Sequence, residues 1–286
     1  MTGALEVPPD LPAQVAAALR EDVGSGDVTA SLVPATQRVR GEVVSREDAV
    51  ICGAPWVAET FHQLAPEITL DWLVHDGERI AAGGTVFRVA GPARPVLTGE
   101  RTALNFLQLL SGTATAAQRF VAAVAGTGCE ILDTRKTLPG LRSAQKYAVR
   151  CGGARNHRMG LHDMVLIKEN HIAAAGSLAA AIAAGRRLAS RRQVEAEVES
   201  LAELEQALAA GADIIMLDDF TLADLRSAVQ RVRAAGSKAK LEASGSVTLQ
   251  TVRAIAETGV DYVSVGSLTK HVRAIDLSMR LQFSAA

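Results

Sequence analysis

The chain has 286 residues, long enough for one large α/β domain or two smaller ones with a core that needs no disulfide staples. Its 30 basic and 31 acidic side chains leave a formal net charge of -1, and aromatic residues make up only 3%, so the chain offers neither a global field nor stacking platforms for nucleic acid. Cys52, Cys129 and Cys151 form no C-x-x-C pair, which excludes a disulfide framework and a structural zinc spacing and makes ordinary reduced thiols the expectation.

The opening stretch MTGALEVPPDLPAQV lacks both a basic segment and a continuous apolar run, so no signal peptide is expected. No apolar run reaches the ~18 residues of a membrane span. The expectation is a cytoplasmic protein without a membrane segment. Residues 40–53, 69–80 and 84–98 read as strands separated by turns at HDG, AGG and AGPARP, with no regular alternation of strand and helix. This predicts a separate α+β domain over residues 1–115, ahead of a helix through ERTALNFLQLLSGTATAAQRFVAAVAG.

From Glu130 onward one grammar repeats: a short apolar run, polar residues, then an Ala- and Leu-rich helix. The runs are EILDTRKT, DMVLIKEN, QVEAEVES, DIIMLDDF, AKLEASGS and DYVSVGSL, and several intervening helices close on a Gly suited to a C-cap. Such alternation predicts parallel strands with crossover helices, closed as a barrel or laid out as a doubly wound sheet. No G-x-G-x-x-G follows a first strand, and nearly every strand ends in chemically able residues. Both points favour an α/β-barrel-like domain over residues 116–270, with the tail 271–286 packing back on the first domain.

The first barrel strand delivers Thr134, Arg135 and Lys136 to its tip, and the second ends at Lys168, preceded by His157 and Arg158 in RNHR. In a nearly neutral protein, cations at barrel strand ends either pair with carboxylates or await an anionic ligand, because an uncompensated buried charge is costly. Arg grips carboxylate or phosphate with two parallel donors, and Lys adds a point charge. His157 fits a structural histidine as well as a ligand.

Glu195, Glu197 and Glu199 alternate and share one strand face, while the adjacent Asp218 and Asp219 must point opposite ways. Carboxylates there suit Mg²⁺ held through water, sugar hydroxyls, or the simple balancing of cations opposite. The last two strands run into Ser244, Gly245, Ser246 and into Val265, Gly266, Ser267. Both are small-residue turns expected to enter a helix and cradle an anion, as phosphate sites late in α/β barrels do. One mouth would then join a cationic pocket for carboxylates to two phosphate cradles, the needs of a phosphorylated sugar meeting a small acid.

The run DTRKTLPGLRSAQKYAVRCGGARNHRMGLHDMVLIKENH resembles the signature of the quinolinate phosphoribosyltransferases, supported by EDVGSGDVT, ERTALNFLQLLSGTAT, EVES, LDDF, LEASGSV and GVDYVSVGSLT. The resemblance implies an N-terminal α/β sandwich and a type II phosphoribosyltransferase barrel. It implies a homodimer in NAD biosynthesis that converts quinolinate and phosphoribosyl pyrophosphate, with Mg²⁺, into nicotinate mononucleotide, pyrophosphate and carbon dioxide. By the same likeness Arg135, Lys136, Arg158 and Lys168, with Thr134 and His157 beside them, surround the dicarboxylate, and Arg101 is donated to the partner's site. Glu197 and Asp218 match the acidic pair at ribose and metal, chosen over Glu199 and Asp219. Lys136, Lys168, Glu197 and Asp218 would act in catalysis, and Ser244 to Ser246 and Val265 to Ser267 would hold phosphates. Two positions depart from the family pattern: Ala154 stands where a third glycine is usual, and Asp219 where Asn is usual.

Overall fold

The strand segments at the start of the chain and the repeating strand-helix segments after Glu130 build different sheets. The computed structural model describes residues 5–190 and 192–283. It divides into two compact units. The first comprises the chain up to Gln118, Thr137–Gly153 and the chain from Leu268 onward; the second comprises Arg119–Lys136 and Ala154–Ser267. The segment 137–153, expected within the barrel range, thus lies in the first unit.

In the first unit β1 (Arg38–Ser45), β3 (Thr69–Trp72), β5 (Thr85–Pro92) and β12 (Leu277–Phe283) form an antiparallel sheet in the order β12-β1-β5-β3, while β2 (Ala49–Val50) pairs with β4 (Arg79–Ile80). The C-terminal tail therefore supplies an edge strand, with Val43 opposite Met279. Val39, Val43, Phe87 and Val89 from the sheet pack with Val96, Leu104 and Leu107 of α3 (Ala93–Ala123). On a second cluster, α1 (Leu11–Val23) sets Leu11, Val15 and Leu19 at four-residue spacing against Trp56 of α2 (Ala54–Leu64) and Tyr147 of α4 (Arg142–Cys151). The strand expected over 84–98 ends at Pro92 and α3 begins at Ala93, earlier than expected. Pro95 sits in the first turn of that helix, where its missing N–H has no partner to lose.

The second unit carries six parallel strands: β6 (Glu130–Leu132), β7 (Val165–Ile167), β8 (Val194–Val198), β9 (Ile214–Asp218), β10 (Lys240–Ser244) and β11 (Tyr262–Ser264), in the order β6-β11-β10-β9-β8-β7. Helix α6 (Leu178–Ala189) follows the short helix Glu169–Ala175, and α7 (Leu201–Ala209) and α8 (Leu222–Ala234) start immediately beyond strand-end loops. Each is N-capped by a hydroxyl, of Ser177, Ser200 and Thr221, which accepts the backbone N–H of Ala180, Glu203 and Asp224. The ladder does not close, since β6 and β7 are its two ends. Beside β6 runs the chain at Arg155, whose N–H donates to Ile131 O at 2.8 Å and whose carbonyl accepts from Asp133 N at 3.1 Å. That contact places the RNHR loop at the rim of the gap.

Two boundaries differ from expectation. The second strand stops at Ile167 because Lys168 is already the N-cap of α5 (Glu169–Ala175). The Ser244–Ser246 turn does not enter a helix directly, since α9 (Val252–Ala256) starts several residues later, whereas Val265–Ser267 leads straight into α10 (Ser267–Lys270).

Candidate active site

Strand alternation decides which residues reach the barrel interior. On β8 the side chains of Glu195 and Glu197 are 0% and 11% exposed, whereas Glu199 lies beyond the strand and is exposed. Asp218 is the last residue of β9 and is half-buried, while Asp219 is exposed. Thr134, Arg135, Lys136, His157, Arg158, Lys168, Glu197, Asp218 and Ser244 all line one cavity of about 370 Å³ at the C-terminal ends of the strands. Gly245, Ser246, Val265, Gly266 and Ser267 lie next to that lining without forming it, and Arg101 is exposed on α3 in the other unit.

Arg135 and Arg158 face the cavity together, and neither has an ion pair among the described residues. Arg135 Nε is buried without a hydrogen-bond acceptor. The Arg158 guanidinium is held below its usual range by burial and then by the charge of Arg135, with Glu195 and Asp163 pulling the other way. Two guanidiniums that face one cavity with no ion pair among the described residues make a candidate anion site, because the charges of Glu195 and Asp163 offset burial and their repulsion only in part. The stem of Lys136 crosses Gly266: a Cβ there would lie 3.2 Å from Lys136 Cδ, so the glycine lets the two neighbouring strand tips meet. Lys168 differs from the two arginines, since its ammonium is ion-paired with the Glu197 carboxylate.

On the opposite rim Asp218 and Ser244 are register neighbours on β9 and β10. The next residue, Asp219, adopts a left-handed φ of 53° and donates its N–H to Ser244 O at 3.1 Å. Asp and Asn are the side chains that best tolerate this backbone, so the departure at Asp219 keeps the turn. Gly245 is obligatory by two criteria: its φ is +117°, and a Cβ would stand 2.1 Å from Asp219 Oδ1. Ala154 is buried with no left-handed backbone, whereas Gly153 beside it has φ 85°, so alanine fits where a third glycine is usual.

Beneath the mouth lies a charged layer. His157 Nε2 is 2.9 Å from Glu195 and 3.5 Å from Glu242, carboxyls that are 0% exposed, and its Nδ1 accepts the backbone N–H of Arg158 at 2.7 Å. Burial raises both acids, Glu195 to about 7 and Glu242 to about 8, the latter also by the charge of Glu195. Fully buried Asp133 accepts Asn156 Nδ2 at 2.6 Å and the backbone N–H of His157 at 2.8 Å, which ties the RNHR loop to the end of β6. Glu242 also lines the cavity and was not singled out in the sequence. Its signal was available, because Glu242 and Ser244 alternate on β10 and share a face.

Glu197 and Asp218 are hard oxygen donors lining one cavity, a donor set that fits Mg²⁺ with part of its water shell retained. The His157–Glu195–Glu242 cluster also gathers three possible ligands, but Nδ1 accepts an N–H. A metal on Nε2 would then require an imidazolate, so this cluster is better suited to a proton.

A six-stranded parallel α/β unit whose mouth sets cations, among them the two arginines without an ion pair among the described residues, against carboxylates and small-residue turns defines an enzyme of phosphorylated or carboxylated small molecules. Residues 27–111 match the quinolinate phosphoribosyl transferase N-terminal domain and residues 113–280 the C-terminal domain, so the chain belongs to the quinolinate phosphoribosyltransferase family. It is 43% identical over 268 residues to the nicotinate-nucleotide pyrophosphorylase [carboxylating] of Mycobacterium leprae, covering 92% of this chain and 94% of that protein. A probable enzyme of the same name from Bacillus subtilis is 39% identical over 265 residues, covering 92% of this chain and 91% of that protein. The solved nicotinate-nucleotide pyrophosphorylase of Francisella tularensis superposes with a TM-score of 0.91 at 45% identity, covering 97% of this chain and 98% of that one.

Proposed function

We propose that this cavity converts quinolinate and phosphoribosyl pyrophosphate into nicotinate mononucleotide, pyrophosphate and carbon dioxide, the reaction of the family to which the chain belongs. The observation that carries the reading is the pair Arg135 and Arg158, held together without a protein counterion in a cavity whose other rim is Glu197, Asp218 and Ser244. A planar dicarboxylate satisfies both guanidiniums at once, which a single carboxylate does less well.

In this reading Arg135, Arg158 and Lys136 orient the ring so that its nitrogen faces the anomeric carbon, and positioning supplies much of the rate. A ring carboxylate that engages Lys168 draws it from Glu197, and the released carboxylate then stands against the positive charge that grows on the ribose as pyrophosphate departs. Asp218 assists from the neighbouring strand. Glu197 and Asp218 would hold Mg²⁺, which when bound neutralises charge on the pyrophosphate. The turns at Ser244–Ser246 and Val265–Ser267 hold phosphate oxygens through backbone N–H groups. Once the nitrogen is ribosylated the ring is cationic. The C–C bond to the adjacent carboxylate breaks, its electron pair stays on the ring carbon, carbon dioxide leaves, and a proton from water completes the product.

The active form is a homodimer in which Arg101 reaches the partner's cavity, as the family resemblance implies. Three free, buried cysteines accord with a cytoplasmic setting. The deciding assay supplies the purified protein with quinolinate, phosphoribosyl pyrophosphate and Mg²⁺ and follows nicotinate mononucleotide. Consumption of nicotinate with quinolinate ignored would overturn the substrate assignment.

A further inference from the structure

We infer that Glu195 and Glu242 are positioning residues that act through His157: together they hold its ring in one tautomer and so fix Arg158 in the cavity. The inference rests on the reading that Arg158 binds the ring dicarboxylate, and it adds two residues that touch no reacting atom in that scheme.

The geometry is specific. Glu195 comes from β8 and Glu242 from β10, two strands separated by β9, and both carboxyls converge on the same imidazole nitrogen from within the barrel. The oxygens of both carboxyls are buried without a well-aligned hydrogen bond, and besides the imidazole Glu195 and Glu242 lie against each other, with the Ser264 hydroxyl beside Glu242. Nε2 lies 2.9 Å from Glu195 and 3.5 Å from Glu242 without a well-aligned hydrogen bond to either, so the two carboxyls bracket that edge of the ring by proximity and charge rather than through one directed bond.

At the far side of the ring Nδ1 accepts the Arg158 backbone N–H, which requires a bare Nδ1 and leaves the ring proton on Nε2. The ring is therefore spanned between a backbone donor and a pair of carboxyls. Nδ1 is hydrogen-bonded and Nε2 lies against both carboxyls, and the next residue in the chain is one of the two guanidiniums that have no ion pair among the described residues. A histidine used in this way orients its neighbour rather than the substrate. The acids that fix it correspond to the outer partners that set a histidine's tautomer in other sites. Among the described groups facing His157 are Glu195, Glu242, Asp133, which accepts the His157 backbone N–H, and Arg158, and the charges of Arg158 and Lys168 both act on Glu195.

The experiment is performed on the full chain carrying Glu195→Gln or Glu242→Gln, replacements that keep side-chain volume. Histidine ¹⁵N correlation spectra of the unliganded wild type should show His157 with the proton on Nε2 and Nδ1 bare. Each Gln variant should lose that single tautomer. It should also raise KM for quinolinate about tenfold, the loss of roughly one charge-assisted hydrogen bond, while KM for phosphoribosyl pyrophosphate stays within about twofold. A wild-type ring protonated on Nδ1 overturns the inference, even if a variant fails to fold. So does a variant in which both KM values rise alike, which marks a merely structural role, or one in which nothing changes. If quinolinate proves not to be the substrate, the spectra still decide whether the two acids set the ring.

Discussion

Asp133 Oδ1 accepts the backbone N–H of His157 at 2.8 Å, and its other oxygen accepts Asn156 Nδ2 at 2.6 Å. This carboxylate, the first residue after β6, clamps the loop that ends in Arg158. Asp133→Ala leaves buried donors unsatisfied and should cost roughly 1–3 kcal/mol of stability. It should also raise KM for quinolinate. Urea unfolding and steady-state kinetics on the same preparation check both effects.

The counterion-free guanidiniums make the opposite prediction for stability. Arg158→Gln removes a charge that repels Arg135, so the melting temperature should hold or rise, while KM for the dicarboxylate increases about 10–100-fold. A parallel loss of melting temperature would show that the arginine supports the fold.

Gly245→Ala should be severe, because the new Cβ meets Asp219 Oδ1 at 2.1 Å on a backbone with φ +117°. The turn must shift, and kcat/KM for phosphoribosyl pyrophosphate should fall at least about tenfold, with roughly 1–3 kcal/mol lost from stability. By contrast, Asp219→Asn keeps the left-handed turn and removes a negative charge near the phosphates. It should lower KM for that substrate about twofold at low salt and less at high salt, as screening requires.

Glu242 should leave its mark on stability as a function of pH. Its folded-state pKa is raised from 4.5 to about 8, so between those values the folded protein holds a proton that the unfolded chain has released. Stability from this group is fully present below about 4.5 and declines as pH rises through about 8, with a slope up to about 1.4 kcal/mol per pH unit. Glu242→Gln should flatten that slope. Denaturation midpoints at several pH values measure it, and an equal slope in both proteins would contradict the assignment.

Mixed dimers test the donation of Arg101. Arg101→Ala and Lys136→Ala chains, each inactive alone, should regain about a quarter of wild-type activity when subunits exchange freely. Half of the dimers are then mixed, each with one intact site if Arg101 serves the partner. No recovery would place Arg101 outside the shared site.

Local order in the chain was enough to determine the strand and helix alternation, the gathering of Arg135, Lys136, Lys168, Glu197 and Asp218 at strand ends, and the family. Side-chain type, period and motif are properties of neighbouring residues, and the strand direction converts them into a position at the barrel mouth. Only the tertiary structure decided that Lys168 is paired with Glu197, that Arg135 and Arg158 have no ion pair among the described residues, and that Glu195, Glu242 and His157 form one cluster. Those residues lie on different strands and loops, and which of them meet depends on how the sheet curves and on the gap between β6 and β7. The role of Asp133 belongs to the same class. Its partners lie on the loop that runs beside β6, and no spacing within the chain relates one to the other.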